Sequence, residues 1–200
     1  MSYLSGGIKK YIEDVSARIP APGGGSTAGL CGALGTALLE MVCNFTAGKE
    51  KYKQFEQDIQ RHLGSLKKMR EEFSSFIDED VKAYSAIGSA FKTKDKKVID
   101  KALKDGYCIS LKICELSKDT LEIALDLPRK GNVNLITDVG CGAELLQAAF
   151  NSSVFNAEIN LKGIEDKDFV SKQIALLEGL KKETKRLYES TITESKKRME

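Results

Sequence analysis

The chain has 200 residues, of which 42% are hydrophobic and 30% are charged, so it is long enough to bury a sizeable core. Its formal net charge of +2 argues against a nucleic-acid surface or a strongly acidic partner. No shift in composition marks a linker, and we expect one domain over residues 1–200. The apolar run that begins near Ile19 contains Pro-Ala-Pro-Gly-Gly-Gly, and a continuous membrane-spanning helix is therefore not expected.

Apolar residues recur at helical spacing in almost every long segment, and no segment alternates as a half-buried strand does. The sequence therefore predicts an all-α fold, a multihelical bundle. We predict six helices, over residues 3–18, 26–46, 51–91, 95–126, 134–161 and from 165 towards the C-terminus. The first carries one apolar stripe of Leu4, Ile8, Ile12 and Val15.

Local signals set the predicted ends of these helices. Pro20 ends the first helix, and the hydroxyl of Ser26 caps the second. The third contains a possible kink at residues 78–80. Pro128 ends the fourth, and residues 195–200 are expected to fray.

The second and fifth predicted helices are rich in small residues. Gly29, Gly32 and Gly35 lie inside the second, and Gly140 and Gly142 lie inside the fifth. A glycine costs roughly 1 kcal/mol relative to alanine within a helix, and close contact with another backbone would offset that cost. We expect these helices to form the central pair. Because each is apolar on more than one face, we also expect a homodimer.

The chain contains five cysteines and no CxxC pair. This pattern predicts reduced, buried thiols and a cytoplasmic location. The cysteines are Cys31, Cys43, Cys108, Cys114 and Cys141.

The segment "PGGGST" directly precedes the second helix. One interpretation is a plain turn that caps the helix. The other is a binding loop, because Gly23, Gly24 and Gly25 leave backbone N–H groups uncovered at a helix N-terminus that favours negative charge. The segment is neither a Walker loop nor a dinucleotide fingerprint, because no Gly-Lys-Ser/Thr follows it and no strand precedes it.

Three acidic residues in a row occur in "FIDEDVKAY". Such a run is usually a solvated helix face, but consecutive helical residues fan across about 200°, so one of the three can point inward. Asp80 is three residues after Ile77 and four before Tyr84, which makes it the inward candidate.

Polar residues are unusually frequent in the fifth helix. Asn132 and Asp138 lie at its entry, and Asn151, Asn156 and Asn160 follow among small apolar neighbours. Asp138 and Asn156 share a face but lie about 27 Å apart along the axis, so they cannot both contact one small reacting centre. The simpler alternative is that each asparagine only satisfies hydrogen bonds within the bundle.

Basic residues follow the second helix in "TAGKEKYKQF". Lys49 and Lys53, with Tyr52 between them, suit the carboxylates of a substrate, although such residues are commonly just solvent-facing. His62 is the only histidine, which argues against a catalytic triad or a histidine metal cluster. With no metal site or cofactor motif, an enzyme here would use carboxylates, amides, lysines and backbone.

Together these segments resemble the formiminotetrahydrofolate cyclodeaminase family, which includes methenyltetrahydrofolate cyclohydrolase relatives. The resemblance is carried by "PAPGGGSTAGLCGALGTALLEMV", "GKEKY", the step from Asp80 to Ala83, and "GNVNLITDVGCGAELLQAAFNSSVFNAEINL". It implies a dimeric helical bundle that closes 5-formimino-tetrahydrofolate to 5,10-methenyl-tetrahydrofolate with release of ammonia. The substrate is then a folate, with no further cofactor and no nucleic-acid or membrane partner.

The resemblance also implies roles for particular residues. Asp138 would transfer protons, and Asp80 would have a second, electrostatic or orienting role. The folate would be bound by backbone and polar groups, namely Gly23, Gly24, Gly25, Ser26 and Asn132, with Lys49 and Tyr52 receiving the glutamate tail or the aminobenzoyl ring. Two alternatives stay open: a methenyltetrahydrofolate cyclohydrolase, and a helical scaffold or ligand-binding module without the reaction.

Overall fold

The computed structural model describes residues 2–200, and within them the fold is all-α, as predicted. Short 3-10 helices, Glu50–Phe55 and Val133–Leu135, precede the third and fifth α-helices. The six α-helices are α1 (Ile8–Ser16), α2 (Gly24–Asn44), α3 (Glu56–Thr93), α4 (Lys96–Lys130), α5 (Ile136–Gly163) and α6 (Lys167–Met199).

Helices α2 and α5 pack directly against each other, which confirms the predicted central pair. A Cβ added to Gly35 would lie 2.8 Å from the carbonyl oxygen of Gly142, and one added to Gly142 would lie 3.1 Å from the carbonyl oxygen of Gly35. Gly24, at the start of α2, lies beside Asn156 near the end of α5. The two helices are therefore antiparallel and close enough for backbone contact.

A second glycine row joins α2 to α3. A Cβ at Gly32 would collide with the ring of Phe73, and one at Gly29 would lie 3.1 Å from the carbonyl oxygen of Phe73. One turn earlier, a Cβ at Gly25 would collide with the carboxylate of Asp80. These glycines place the middle of α3 directly against the first half of α2.

The buried apolar side chains form two clusters. The larger lies mainly between α2, α3 and α4 and includes Leu39, Phe73 and Leu121. The smaller lies between α4, α5 and α6 and includes Tyr107 and Phe150. Helix α5 contributes to both clusters, so it is central to the bundle.

Charged side chains join α3 to the end of α4. The ammonium group of Lys130, itself buried, lies 2.8 Å from Asp58 and 2.6 Å from Asp126. His62, on the flank of the apolar stripe of α3, is also buried and lies 3.2 Å from Asp126. Burial lowers the pKa of His62, although Asp126 opposes this.

The N-terminal predictions need two corrections. Helix α1 is shorter than expected, and its stripe of Leu4, Ile8, Ile12 and Val15 is exposed, because α1 turns Tyr11 towards α2 instead. Helix α2 begins at Gly24, not at Ser26, and its N-cap residue Gly23 has no side chain to cap with.

The C-terminal boundaries of α4 and α6 also differ from prediction. Helix α4 continues through Pro128 to Lys130, because a proline in the last turn removes only one backbone hydrogen bond. Helix α6 continues to Met199 and buries Ser195. Helix α3 is unbroken at residues 78–80.

Helix α2 is the one described helix long and apolar enough to cross a membrane, and it also has the character of a core helix because much of it is buried in the bundle. All five cysteines are free thiols, and the prediction that they are buried holds only in part. Cys43 and Cys114 are buried and Cys31 is half-buried, whereas Cys108 and Cys141 are exposed.

Candidate active site

A cavity of about 390 Å³ lies between the start of α2, the second half of α3, the first half of α4 and the end of α5. This volume falls within the range of small-molecule sites. Gly23, Gly24 and Gly25, which we call the glycine loop, form one wall, with Pro20 and Ala21 before them. The remaining lining residues are Asp80, Ala83, Tyr84, Ile87, Phe91, Leu103, Gly106, Ser110, Asn156, Ile159, Asn160 and Gly163.

Asp80 is the carboxylate in this lining, and its inward orientation confirms what its spacing predicted. Its Oδ2 accepts a hydrogen bond of 2.9 Å from the backbone N–H of Ser26. Asp80 therefore caps α2 from a neighbouring helix, in the role that the sequence assigned to the Ser26 hydroxyl. Its neighbour Asp78 instead binds the N-terminal segment, accepting from the backbone N–H of Tyr3 at 2.8 Å.

Two opposing effects act on the protonation of Asp80. Burial raises the pKa of its carboxyl group, and the hydrogen bond from Ser26 partly offsets that rise. The positive end of the α2 dipole also favours the charged form. A carboxyl group with a raised pKa beside a cavity is a candidate for proton transfer.

The hydroxyl of Ser26 is engaged away from the cavity. It lies 3.0 Å from the hydroxyl of Tyr11 on α1, and both side chains are buried. Ser26 is therefore not a lining residue of the cavity, although its backbone N–H holds Asp80. Helix α1 thus supports the backbone turn that positions the carboxylate.

Polar amides from α5 also line the cavity. Asn156 and Asn160 project from successive turns of α5, and the buried Ser110 lies nearby on α4. The outer rim is apolar and partly exposed, with Tyr84 and Phe91 from α3 and Ile159 from α5. The cavity therefore has a polar interior for a heterocycle and an apolar rim for an attached ring.

Asn132 and Tyr52 lie in a different part of the molecule, near the C-terminal end of α2. The backbone N–H of Asn132 donates to Thr46 at 2.8 Å, and its side-chain amide donates to the carbonyl of Phe45 at 3.1 Å. The hydroxyl of Tyr52 accepts from the backbone N–H of Val133 at 3.0 Å. These groups join the segment after α2 to the segment before α5 and do not line the cavity of this chain.

Lys49 and Asp138 are also remote from the cavity. Lys49 is exposed, and Asp138 is half-buried in the first turn of α5. Eighteen residues separate Asp138 from Asn156, a rise of about 27 Å along the helix. Of the nine predicted site residues, a single chain brings Gly23, Gly24, Gly25 and Asp80 to the cavity wall and leaves the other five outside it. The catalytic and binding roles given to these residues remain predictions.

Sequence reasoning did not select the cavity's amides or its apolar rim. Asn156 and Asn160 were visible as polar residues in an apolar helix, but a structural role was the simpler interpretation. The signal that could have found them is their spacing of four residues, which places both on one helix face. The contribution of α4, through Gly106 and Ser110, had no comparable signal.

Comparisons with known proteins agree with this architecture. A family model described as formiminotransferase-cyclodeaminase matches residues 7–178. A methenyltetrahydrofolate cyclohydrolase from Methylorubrum extorquens is 32% identical over 92% of this chain and 94% of its own length. The formimidoyltransferase-cyclodeaminase of Rattus norvegicus is 27% identical over 92% of this chain, which spans only 36% of the rat protein.

The fold also matches a solved structure closely. The crystal structure of formiminotetrahydrofolate cyclodeaminase from Thermotoga maritima superimposes with a TM-score of 0.92 and 28% identity, covering 95% of this chain and 96% of that one. The fold and its cavity define a class of helical-bundle proteins with a candidate small-molecule site between helices. Within that class, the chain belongs to the formiminotransferase-cyclodeaminase family.

Proposed function

We propose that this protein is a folate one-carbon enzyme that cyclises 5-formimino-tetrahydrofolate to 5,10-methenyl-tetrahydrofolate and releases ammonia. The observation that carries the proposal is the partly buried Asp80 carboxyl group, with its raised pKa, in the wall of a cavity formed by the glycine loop. The names of the full-length relatives support the choice of substrate class.

In the proposed reaction, N10 of the folate attacks the formimino carbon and a new C–N bond forms. Asp80 accepts the proton that N10 loses. When the formimino group binds in its protonated form, the tetrahedral adduct carries an exocyclic amine. Asp80 returns the N10 proton to that amine, its bond to carbon breaks, and ammonia leaves as the methenyl cation forms. This assignment gives proton transfer to Asp80, whereas the sequence alone favoured Asp138.

Hydrolysis of the methenyl compound is a second candidate function. The specific observation in its favour is the cyclohydrolase relative, which matches along nearly its whole length. Water would attack the methenyl carbon, Asp80 would accept a proton from that water, and the C–N5 bond would break to leave 10-formyl-tetrahydrofolate. Both reactions use the same cavity and the same carboxyl group.

We also propose that the chain acts as a cytoplasmic homodimer through the outer face of the α2/α5 pair. Leu34 on α2 is 50% exposed, and Phe155 and Ile159 on α5 are 73% and 62% exposed. Exposed apolar side chains of this size are candidates for burial against a partner. The free thiols support a reducing compartment.

The dimer gives a place for Asp138 in the reaction. Residue 149 lies midway between Asp138 and Asn160 on α5, about 16 Å from each. A two-fold axis perpendicular to α5 at that point would bring the N-terminal end of the partner's α5, which carries position 138, to the level of the cavity. In this arrangement each site combines Asp80 of one protomer with the position-138 carboxylate of the other.

An absorbance assay with purified protein tests the function. Formimino-tetrahydrofolate and methenyl-tetrahydrofolate are offered separately. Appearance of the methenyl absorbance from the first supports cyclodeamination, and faster loss of it from the second supports hydrolysis. If neither signal changes and reduced folates do not bind, the protein is a helical scaffold and both proposals fail.

A further inference from the structure

The two asparagines in the cavity have hydrogen-bonding capacity that the fold does not use. Asn156 donates through Nδ2 to the carbonyl of Ser152 at 3.0 Å, which leaves its Oδ1 as an open acceptor. The side chain of Asn160 has no hydrogen-bond partner among residues 2–200, and its amide is not sealed from the cavity. The site therefore presents a complete amide and an additional acceptor.

Glycines on two neighbouring helices keep backbone next to these amides. A Cβ at Gly106 of α4 would lie 3.2 Å from Asn160 Nδ2 and 2.9 Å from Ile87. A Cβ at Gly24 would lie 3.6 Å from the amide of Asn156. The backbones of Gly106 and Gly24 therefore border the two amides directly, with Ile87 beside Gly106.

We propose that Asn160 recognises the lactam edge of the pterin ring, a specificity-determining role that rests on the folate function proposed above. Its Oδ1 accepts from N3–H of the pterin, and its Nδ2 donates to the C4 carbonyl oxygen. The free Oδ1 of Asn156, one turn earlier, accepts from the 2-amino group. This arrangement leaves Asp80 to the nitrogens that exchange protons.

The chemistry of the edge explains why an amide is needed at position 160. A lactam offers a donor beside an acceptor, which matches an amide and not a carboxylate. A carboxylate at this position would set an acceptor oxygen against the C4 carbonyl oxygen, and an aliphatic side chain would leave both polar groups of the edge unpaired.

The test measures the affinity for tetrahydrofolate by calorimetric titration under anaerobic conditions. Asn160→Ala is expected to weaken binding by about tenfold or more, because two hydrogen bonds to the pterin are lost. Asn160→Asp is expected to weaken binding further, because one carboxylate oxygen faces the C4 carbonyl oxygen and both groups are acceptors.

Asn151→Asp is the matched control, because Asn151 lies on the same helix, is exposed, and binds only Gln147 at 2.8 Å. It should keep the native affinity. An unchanged affinity in both Asn160 variants overturns the inference and leaves the folate function intact. If the native protein does not bind tetrahydrofolate, the folate function itself has failed, and the inference fails with it.

Discussion

At the scale of single residues, Asp80 has an observed structural role and a proposed catalytic role. The two place opposite demands on its charge. It caps α2 through Ser26, and it stays partly buried beside the cavity. Its pKa is raised above the ordinary value of 3.8, so the folded state holds a proton on it more tightly than the unfolded state does. Ionised Asp80 therefore lowers stability at pH 7, and this penalty disappears as the pH falls below that ordinary value.

Asp80→Asn should separate the two functions. We expect turnover to fall by about 10²-fold or more, because an amide cannot transfer the proton. We expect the free energy of unfolding at pH 7 to stay equal or rise, since the amide oxygen still accepts from Ser26 and no buried charge remains. Absorbance kinetics and urea unfolding measure the two quantities. A variant that keeps its activity would exclude Asp80 from proton transfer.

At the scale of elements, the glycines of α2 set the distance between helices. Gly32→Ala should destabilise the protein by about 1–3 kcal/mol, because the new methyl group collides with the ring of Phe73. Gly64→Ala on α3 is the matched control, since no atom lies within 4 Å of its added Cβ. That variant should gain up to about 1 kcal/mol. Equal changes in the free energy of unfolding for the two variants, measured in urea, would contradict this packing.

The ion pairs of Lys130 make the α3–α4 junction sensitive to pH. Lys130 lowers the pKa of Asp58, and it lowers that of Asp126 although burial alone would raise it. These carboxylates therefore add stability above their ordinary value of 3.8, and the contribution is lost as the pH falls through their lower folded values.

Lys130→Met should cost about 1–2 kcal/mol at pH 7, less than for a fully buried pair because both carboxylates are partly exposed. The difference from the native protein should shrink towards zero near the acid limit of folding. Unfolding free energies measured from pH 7 downwards would show this. A deficit that does not change with pH would mean that packing, and not charge, is lost.

The helices and the cavity differ in how much of each could be predicted from the sequence. Helical spacing predicted all six helices, and the glycines of α2 and α5 predicted their contact, because both signals are local or pairwise. The cavity was only half predicted. Asp80 and the glycine loop have local signatures, whereas Asn160 acquires its role from Gly106, which is distant in sequence and adjacent only after α4 and α5 have packed.

At the scale of the whole molecule, the proposed shared site predicts complementation between two inactive proteins. Asp80→Asn and Asp138→Asn homodimers should each be inactive. Unfolding the two together and refolding them should produce mixed dimers in which one of two sites is intact. Random pairing would restore about a quarter of native activity.

Light scattering should show the same dimer mass for the native protein and for both variants. Failure to recover activity in dimers shown to be mixed, or full activity of Asp138→Asn alone, would contradict the shared site. In the second case Asp80 would remain the proton-transfer group within each chain.

The glycine loop has a consequence for how this protein tolerates substitution. A Cβ at Gly23 meets no atom within 4 Å, whereas one at Gly25 meets the carboxylate of Asp80. Saturation mutagenesis of codons 23 and 25 should therefore give different phenotypes. Small residues at position 23 should fold normally and impair function only by occupying volume that the substrate needs. Every replacement at position 25 should move Asp80, whatever the chemistry of the new side chain.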